Sequence, residues 1–185
     1  IELAVALLEH QSPAAILAAV GENYRALTSP LLDVPPRQRS AAAVFHTTWA
    51  LLTVEEAQIL ARCSVFRGGF TLKMVQTVAT ATATIVEALV HKSLLHHSGA
   101  NRYAIHDLVR QFAGEQLAHD TVLANQTCAA HAAYFTALLA TWRPDEATEQ
   151  HFRQVVTQEW ENVQAAWGWA TAAGQVGLLQ QGIAG

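Results

Sequence analysis

The chain has 185 residues, 51% of them hydrophobic and 14% charged, with a net charge of −4. That suffices for one or two compact domains with real cores, and is too apolar for a disordered tail or a polar linker. The charge does not mark the chain as a polyanion binder, no uncharged apolar run of about 18 or more residues offers a membrane span, and no basic segment followed by an apolar core opens the chain as a secretory signal would.

The two cysteines, Cys63 and Cys128, lie far apart. They form neither a disulfide framework nor a CxxC metal knuckle, so a reducing cytoplasm is the expected setting. The single methionine is Met74, and the sequence opens at Ile1 inside a run, IELAVALLEH, that already reads as helix. It closes at Gly185 after another helical run. The chain is therefore expected to be a piece of a longer protein.

Alanine makes up roughly a fifth of the residues, which favours helix almost throughout. In chain order, Ile1 to about His10 reads as the tail of a helix. Ser12-Pro13 supplies a cap followed by proline at the first helical position, starting a helix that runs to about Leu27. Thr28 to Pro36 holds three prolines and reads as an exposed linker. Pro36 to Leu52 is a helix carrying Phe45, Trp49 and Leu52. Thr53-Val-Glu-Glu, with Glu56 three residues after Thr53, is a capping box for a helix ending near Cys63. Val65 to Phe70 is a turn with two glycines between aromatics. Thr71 caps a helix from Leu72 to about Ala79, and another spans Ala83 to His91.

The clear β signal is a hairpin. Residues 93–97 and 102–105 flank the loop Ser98-Gly99-Ala100-Asn101. A helix carrying Leu108, Val109, Phe112 and Leu117 follows at once. Helices and then a hairpin make the order of a winged helix-turn-helix domain, placed at 37–119. Beyond it, a helix from about Leu123 to Trp142 buries His131, Phe135, Leu138 and Trp142. Arg143-Pro144 breaks the chain. One long helix then spans Asp145 to Ala172, with Gly174 as its C-cap. The fold expected is mainly α: a winged helix-turn-helix with one short β-hairpin, flanked by helical segments. The divisions are 1–30, 37–119 and 123–185, the last being the start of an α-solenoid.

The sequence contains no glycine-rich phosphate loop, no GxSxG elbow and no HExxH zinc pair. His96 and His97 are adjacent on a strand and point to opposite faces, so they do not readily grip one metal. The plain reading there is a solvated wing with one half-buried imidazole. No metal site and no catalytic residue are assigned, and the chain is not expected to be an enzyme in its own right.

One arrangement is sharper. Tyr103-Ala104-Ile105-His106-Asp107-Leu108-Val109-Arg110 passes straight from strand to helix. His106 would lie at the helix N-terminus, where the first backbone N–H groups are unpaired and the dipole is positive. Arg110 follows four residues later on the same face. An imidazole and a guanidinium beside exposed amides can hold a phosphate, with Asp107 as the N-cap. The plainer alternative is that His106 and Asp107 do no more than cap the helix.

Ile105-His106-Asp107 followed by Leu-Val-Arg resembles the MHD motif of the STAND NTPases, signal-transduction ATPases that include NB-ARC proteins and many bacterial transcriptional regulators. IELAVALL resembles the helix after that family's "GLPLA" sensor motif. Leu51 to Glu56 and Ser64 to Phe70 resemble its "LSPEE…LSVFxGGF" stretch, Leu89 to Leu95 its "LVDKSLL", and Trp160 to Trp167 its "EHDNLRAAL" helix. Together the five pieces span nearly the whole chain.

The resemblance implies that 1–30 end a helical domain, that 37–119 form a winged helix sensing nucleotide state, and that 123–185 begin a TPR-like arm. It implies that His106 contacts the β-phosphate of ADP and holds a closed, autoinhibited state; Ile105 stands where the family has Met. Arg110 rests on spacing alone. ADP or ATP, with Mg in the parent protein, would be bound mainly by an upstream nucleotide-binding domain. The other partners implied are a downstream repeat sensor and, on activation, further copies of the protein.

Two rival readings remain. A DNA-binding winged helix would read with Ala83–His91, but that segment offers only Glu87, with His91 and Lys92 at its end, where groove readers carry several Arg, Lys, Asn or Gln. A helical interaction scaffold would use Trp160 and Trp169, which sit off the main apolar stripe.

Overall fold

A computed structural model describes residues 41–99, 101–141 and 146–183. The readings made for 1–40, including the first two helices and the proline linker, lie outside the described residues, as do Trp142 and the Arg143-Pro144 break. Twelve elements follow in order: α1 (Ala41–Ala50), α2 (Val54–Cys63), β1 (Phe70–Thr71), α3 (Leu72–Ala79), α4 (Ala83–His91), β2 (His96–Gly99), β3 (Arg102–Ala104), α5 (Asp107–Ala118), α6 (Thr121–Leu139), α7 (Glu146–Gln158), α8 (Trp160–Ala172) and α9 (Val176–Ile183). Among the described residues no helix is long and apolar enough to cross a membrane.

The fold is mainly α with one small antiparallel sheet, and α2 to β3 run in the order of a winged helix-turn-helix. Local chemistry sets the starts. Thr53 accepts from the Glu56 amide, and the Glu56 carboxylate accepts from the Thr53 amide at 2.8 Å, closing the capping box at α2. Thr71, Thr82 and Asp120 cap α3, α4 and α6 through their side-chain oxygens.

The sheet has order β1-β3-β2. Its first strand corrects the sequence reading, in which Val65 to Phe70 was only a turn. Phe70 and Thr71 pair with Tyr103 and Arg102, so β3 becomes the central strand. The hairpin also starts later than expected. Ser93 takes a left-handed conformation (φ 59°), and the amides of Leu94 and Leu95 return to the Leu89 carbonyl, closing the end of α4. Pairing therefore begins at His96.

One apolar core runs through the winged unit and the helices that follow it. Phe66 and Phe70 are buried at a ring separation of 4.7 Å; Phe66 meets His131 on α6, and His131 meets Phe135. Burial of each Phe stabilises by roughly 1.5–3 kcal/mol. Val163, Ala166 and Ala170 of α8 join the same core, and α6 packs against both α8 and α9.

The single helix expected over 145–172 is two. It breaks at Glu159, whose carboxylate is drawn inward instead of lying on a solvated face. Trp169, expected to offer a contact surface, is half-buried and packs on the core, whereas Trp160 is exposed.

Candidate functional site

The strand-to-helix junction is built as the local sequence suggests. β3 ends at Ala104, His106 is extended (φ −64°, ψ 139°), and α5 begins at Asp107. The cap assignment needs correction: the N-cap is His106, not Asp107. The His106 Nδ1 accepts from the Leu108 amide at 3.4 Å, a long bond. Asp107 is instead the first helical residue. There its charge still meets the positive end of the dipole, but its carboxylate accepts from Arg110, at 2.9 Å from Nη2 and 3.2 Å from Nε. The i,i+3 geometry captured the carboxylate that would otherwise have capped.

This has a consequence for His106. A neutral imidazole whose Nδ1 accepts must carry its proton on Nε2. The ring is exposed. It lines a cleft of about 370 Å³ together with Arg67, Arg110, Asp107, Glu161 and the Gly68-Gly69 turn. Sequence reasoning missed Arg67, because only the fold brings residue 67 beside residue 106. Arg67 is held below its ordinary value by burial and then by the positive charge of Arg110. Two cations therefore share one region, partly balanced by the carboxylates of Asp107 and Glu161.

The glycine turn is shaped by its neighbours. Gly68 and Gly69 have φ of +67° and +94°, which side-chain-bearing residues rarely adopt. A Cβ on Gly68 would lie 2.9 Å from Glu161 Oε2, and one on Gly69 would lie 3.0 Å from the Tyr103 carbonyl. Asn162, fully buried, holds this turn to α8. Its Oδ1 accepts from the Arg67 amide at 2.6 Å, and its Nδ2 donates to the Gly69 carbonyl at 2.9 Å and to Glu159 at 3.0 Å. Glu159 in turn accepts from Arg102 of β3. This network too was invisible in the sequence, since it joins residues 57 and 95 positions apart.

Elsewhere on the wing, His96 is exposed, and His97, with its side chain 55% exposed, packs on the Tyr103 ring at 4.9 Å. Glu87 of α4 accepts from the Tyr103 hydroxyl at 2.7 Å, and Lys92 donates to both oxygens of Glu56 at 2.8 and 2.7 Å. Glu87 and Lys92, two of the polar groups of the would-be reading helix, are thus engaged within the fold. Among the described residues no group of three His, Cys, Asp or Glu is placed to hold a metal. Comparison with protein-family models, curated proteins and solved structures finds no match to the chain.

Proposed function

We propose that this chain is the winged-helix and arm segment of a STAND-type ATPase regulator, sensing nucleotide state through a phosphate contact at His106. The observation that carries the reading is the exposed His106 ring, set at a helix N-terminus in a cleft that also holds Arg110 and Arg67. Such a site favours negative charge through exposed amides, the helix dipole and fixed cations together. Asp107 now occupies Arg110; an incoming phosphate, with more acceptor oxygens, would take over the guanidinium.

The nucleotide itself would sit mainly in an upstream domain, with ADP bridging to the winged helix. A ligand shifts such an equilibrium only by its differential affinity for the two arrangements. About 1–3 kcal/mol of coupling corresponds to a 5- to 150-fold shift. The buried Asn162 and Glu159 contacts tie the winged unit to the arm, so a bias applied at His106 would reach the arm.

The test is His106→Ala in the full-length protein, with ADP release followed by displacement of a fluorescent ADP analogue. Release should quicken by about tenfold, and basal output should rise. Unchanged release together with unchanged basal output would remove His106 from the mechanism. A GxxxxGK[ST] loop in the protein-coding region upstream of Ile1 would support the assignment, and its absence would favour the scaffold reading.

A further inference from the structure

A second cleft, of about 430 Å³, opens between α5, α6 and α8. Its volume lies within the range of small-molecule sites. Its walls include Arg67, Arg110, His131, Cys128, Ala124 and Trp169, and they contain no carboxylate. That is unlike the first cleft, where Asp107 and Glu161 offset the cations. Arg67 and Arg110 line both, so the two clefts share their guanidinium wall.

The His131 side chain adds an independent observation. The residue is 3% exposed, and its Nε2 has no hydrogen-bond partner in the protein. A buried, unpaired ring nitrogen costs free energy unless something external pairs with it. Burial holds this imidazole well below its ordinary value, to about 4; a hydrogen bond with Asn162 opposes the shift and the charge of Arg67 adds to it. At neutral pH the ring is therefore uncharged.

We infer that this cleft is a binding site for a small organic anion, its phosphate or carboxylate group at Arg67 and Arg110 and its apolar body against Trp169. Asp107 takes Nε and Nη2 of Arg110, and the Ser64 and Phe66 carbonyls take Nη1 of Arg67; the guanidinium donors that remain, in walls without a carboxylate, select negative charge. The half-buried indole and the alanine-rich helix faces select an apolar body over a bare inorganic ion. This site is separate from the nucleotide contact at His106, although a ligand here would draw on the same guanidiniums from the opposite side.

Phenyl phosphate is a suitable probe, titrated into the 185-residue chain and followed by two-dimensional NMR. Saturable shifts are expected at the Trp169 indole N–H and at the amides of Gly114, Ala124 and Cys128. Arg110→Gln should weaken binding by about tenfold. Ala124→Phe, which fills the cleft without touching a charge, should abolish the shifts while the rest of the spectrum stays folded. Binding unchanged in Ala124→Phe, no saturation at millimolar probe, or equal shifts from inorganic phosphate at matched ionic strength would overturn the proposal. His106→Ala should leave this titration unchanged, so failure here is distinguishable from failure of the nucleotide reading.

Discussion

Arg102 on the central strand of the wing and Glu159 at the break between α7 and α8 form an ion pair almost sealed from solvent, with side chains 12% and 3% exposed. Arg102 Nη2 is buried without a partner beside it. A buried pair is costly to break from one side, because the surviving charge is left uncompensated. Arg102→Met is expected to destabilise the chain by about 3–5 kcal/mol in urea unfolding. Arg102→Met combined with Glu159→Gln should recover a large part of that loss. Glu159→Gln alone completes the cycle, and a double-variant loss equal to the sum of the two single losses would show that the pair is not energetically coupled.

Besides its bond with His131, Asn162 joins the distant Arg67 amide and Gly69 carbonyl to its near neighbour Glu159. Asn162→Leu keeps the branched shape at a larger volume and strands the Arg67 amide and the Gly69 carbonyl. A loss of about 2–4 kcal/mol is expected, at roughly 1–3 per unsatisfied buried group. Amide hydrogen exchange at Arg67 should quicken with it. Unchanged protection at Arg67 would mean that another acceptor replaces Asn162 Oδ1.

Gly68 is constrained both by its backbone and by the nearby Glu161 side chain. Gly68→Ala should cost about 1–2 kcal/mol. Most of that cost should persist in a Glu161→Ala background, because a carboxylate can swing aside whereas the positive φ cannot be relieved. Full rescue by Glu161→Ala would place the constraint in the contact instead.

His131 makes the chain acid-sensitive. Its folded value is depressed to about 4, from 6.5. Between these values the unfolded chain binds the proton and the folded one does not, so stability falls as pH drops from 6.5 towards 4. Above 6.5 the group contributes no pH dependence. The slope is on the order of one kcal/mol per pH unit inside the window. Glu56, whose carboxyl is lowered chiefly by Lys92 and then by the Thr53 amide, adds a loss of the same sign as pH falls through the carboxylate range. Melting temperature against pH should therefore fall below 6.5, and His131→Phe should flatten the upper part of that fall. An unaltered profile would mean that His131 is not the titrating group.

Much of the winged unit was legible locally. Thr53 and Glu56 announce α2 because a capping box lies within four residues, and the glycine-containing loop announces the hairpin. His106 was found because strand and helix signals abut there. What was missed depends on distance or on competition. β1 is two residues long, too short for alternation to register, and exists only because Tyr103 and Arg102 arrive beside it. Asp107 is the commoner cap by residue type, but Arg110 outbids the helix amides for its carboxylate. Glu159 and Asn162 sit at ordinary helical spacing, and nothing near them in sequence reveals that both turn inward to the wing and the glycine turn. Arg67 became a candidate only once the turn had been folded back over α5.

The unbroken run of rings from Phe70 through Phe66 and His131 to Phe135, together with the Asn162 bonds, ties the Gly68-Gly69 turn and β1 to α6 and α8. The assembly would act as a lever with no joint inside it: a push on the Gly68-Gly69 turn is delivered to α8 at full amplitude. Any pivot must then be sought at the edges of this block.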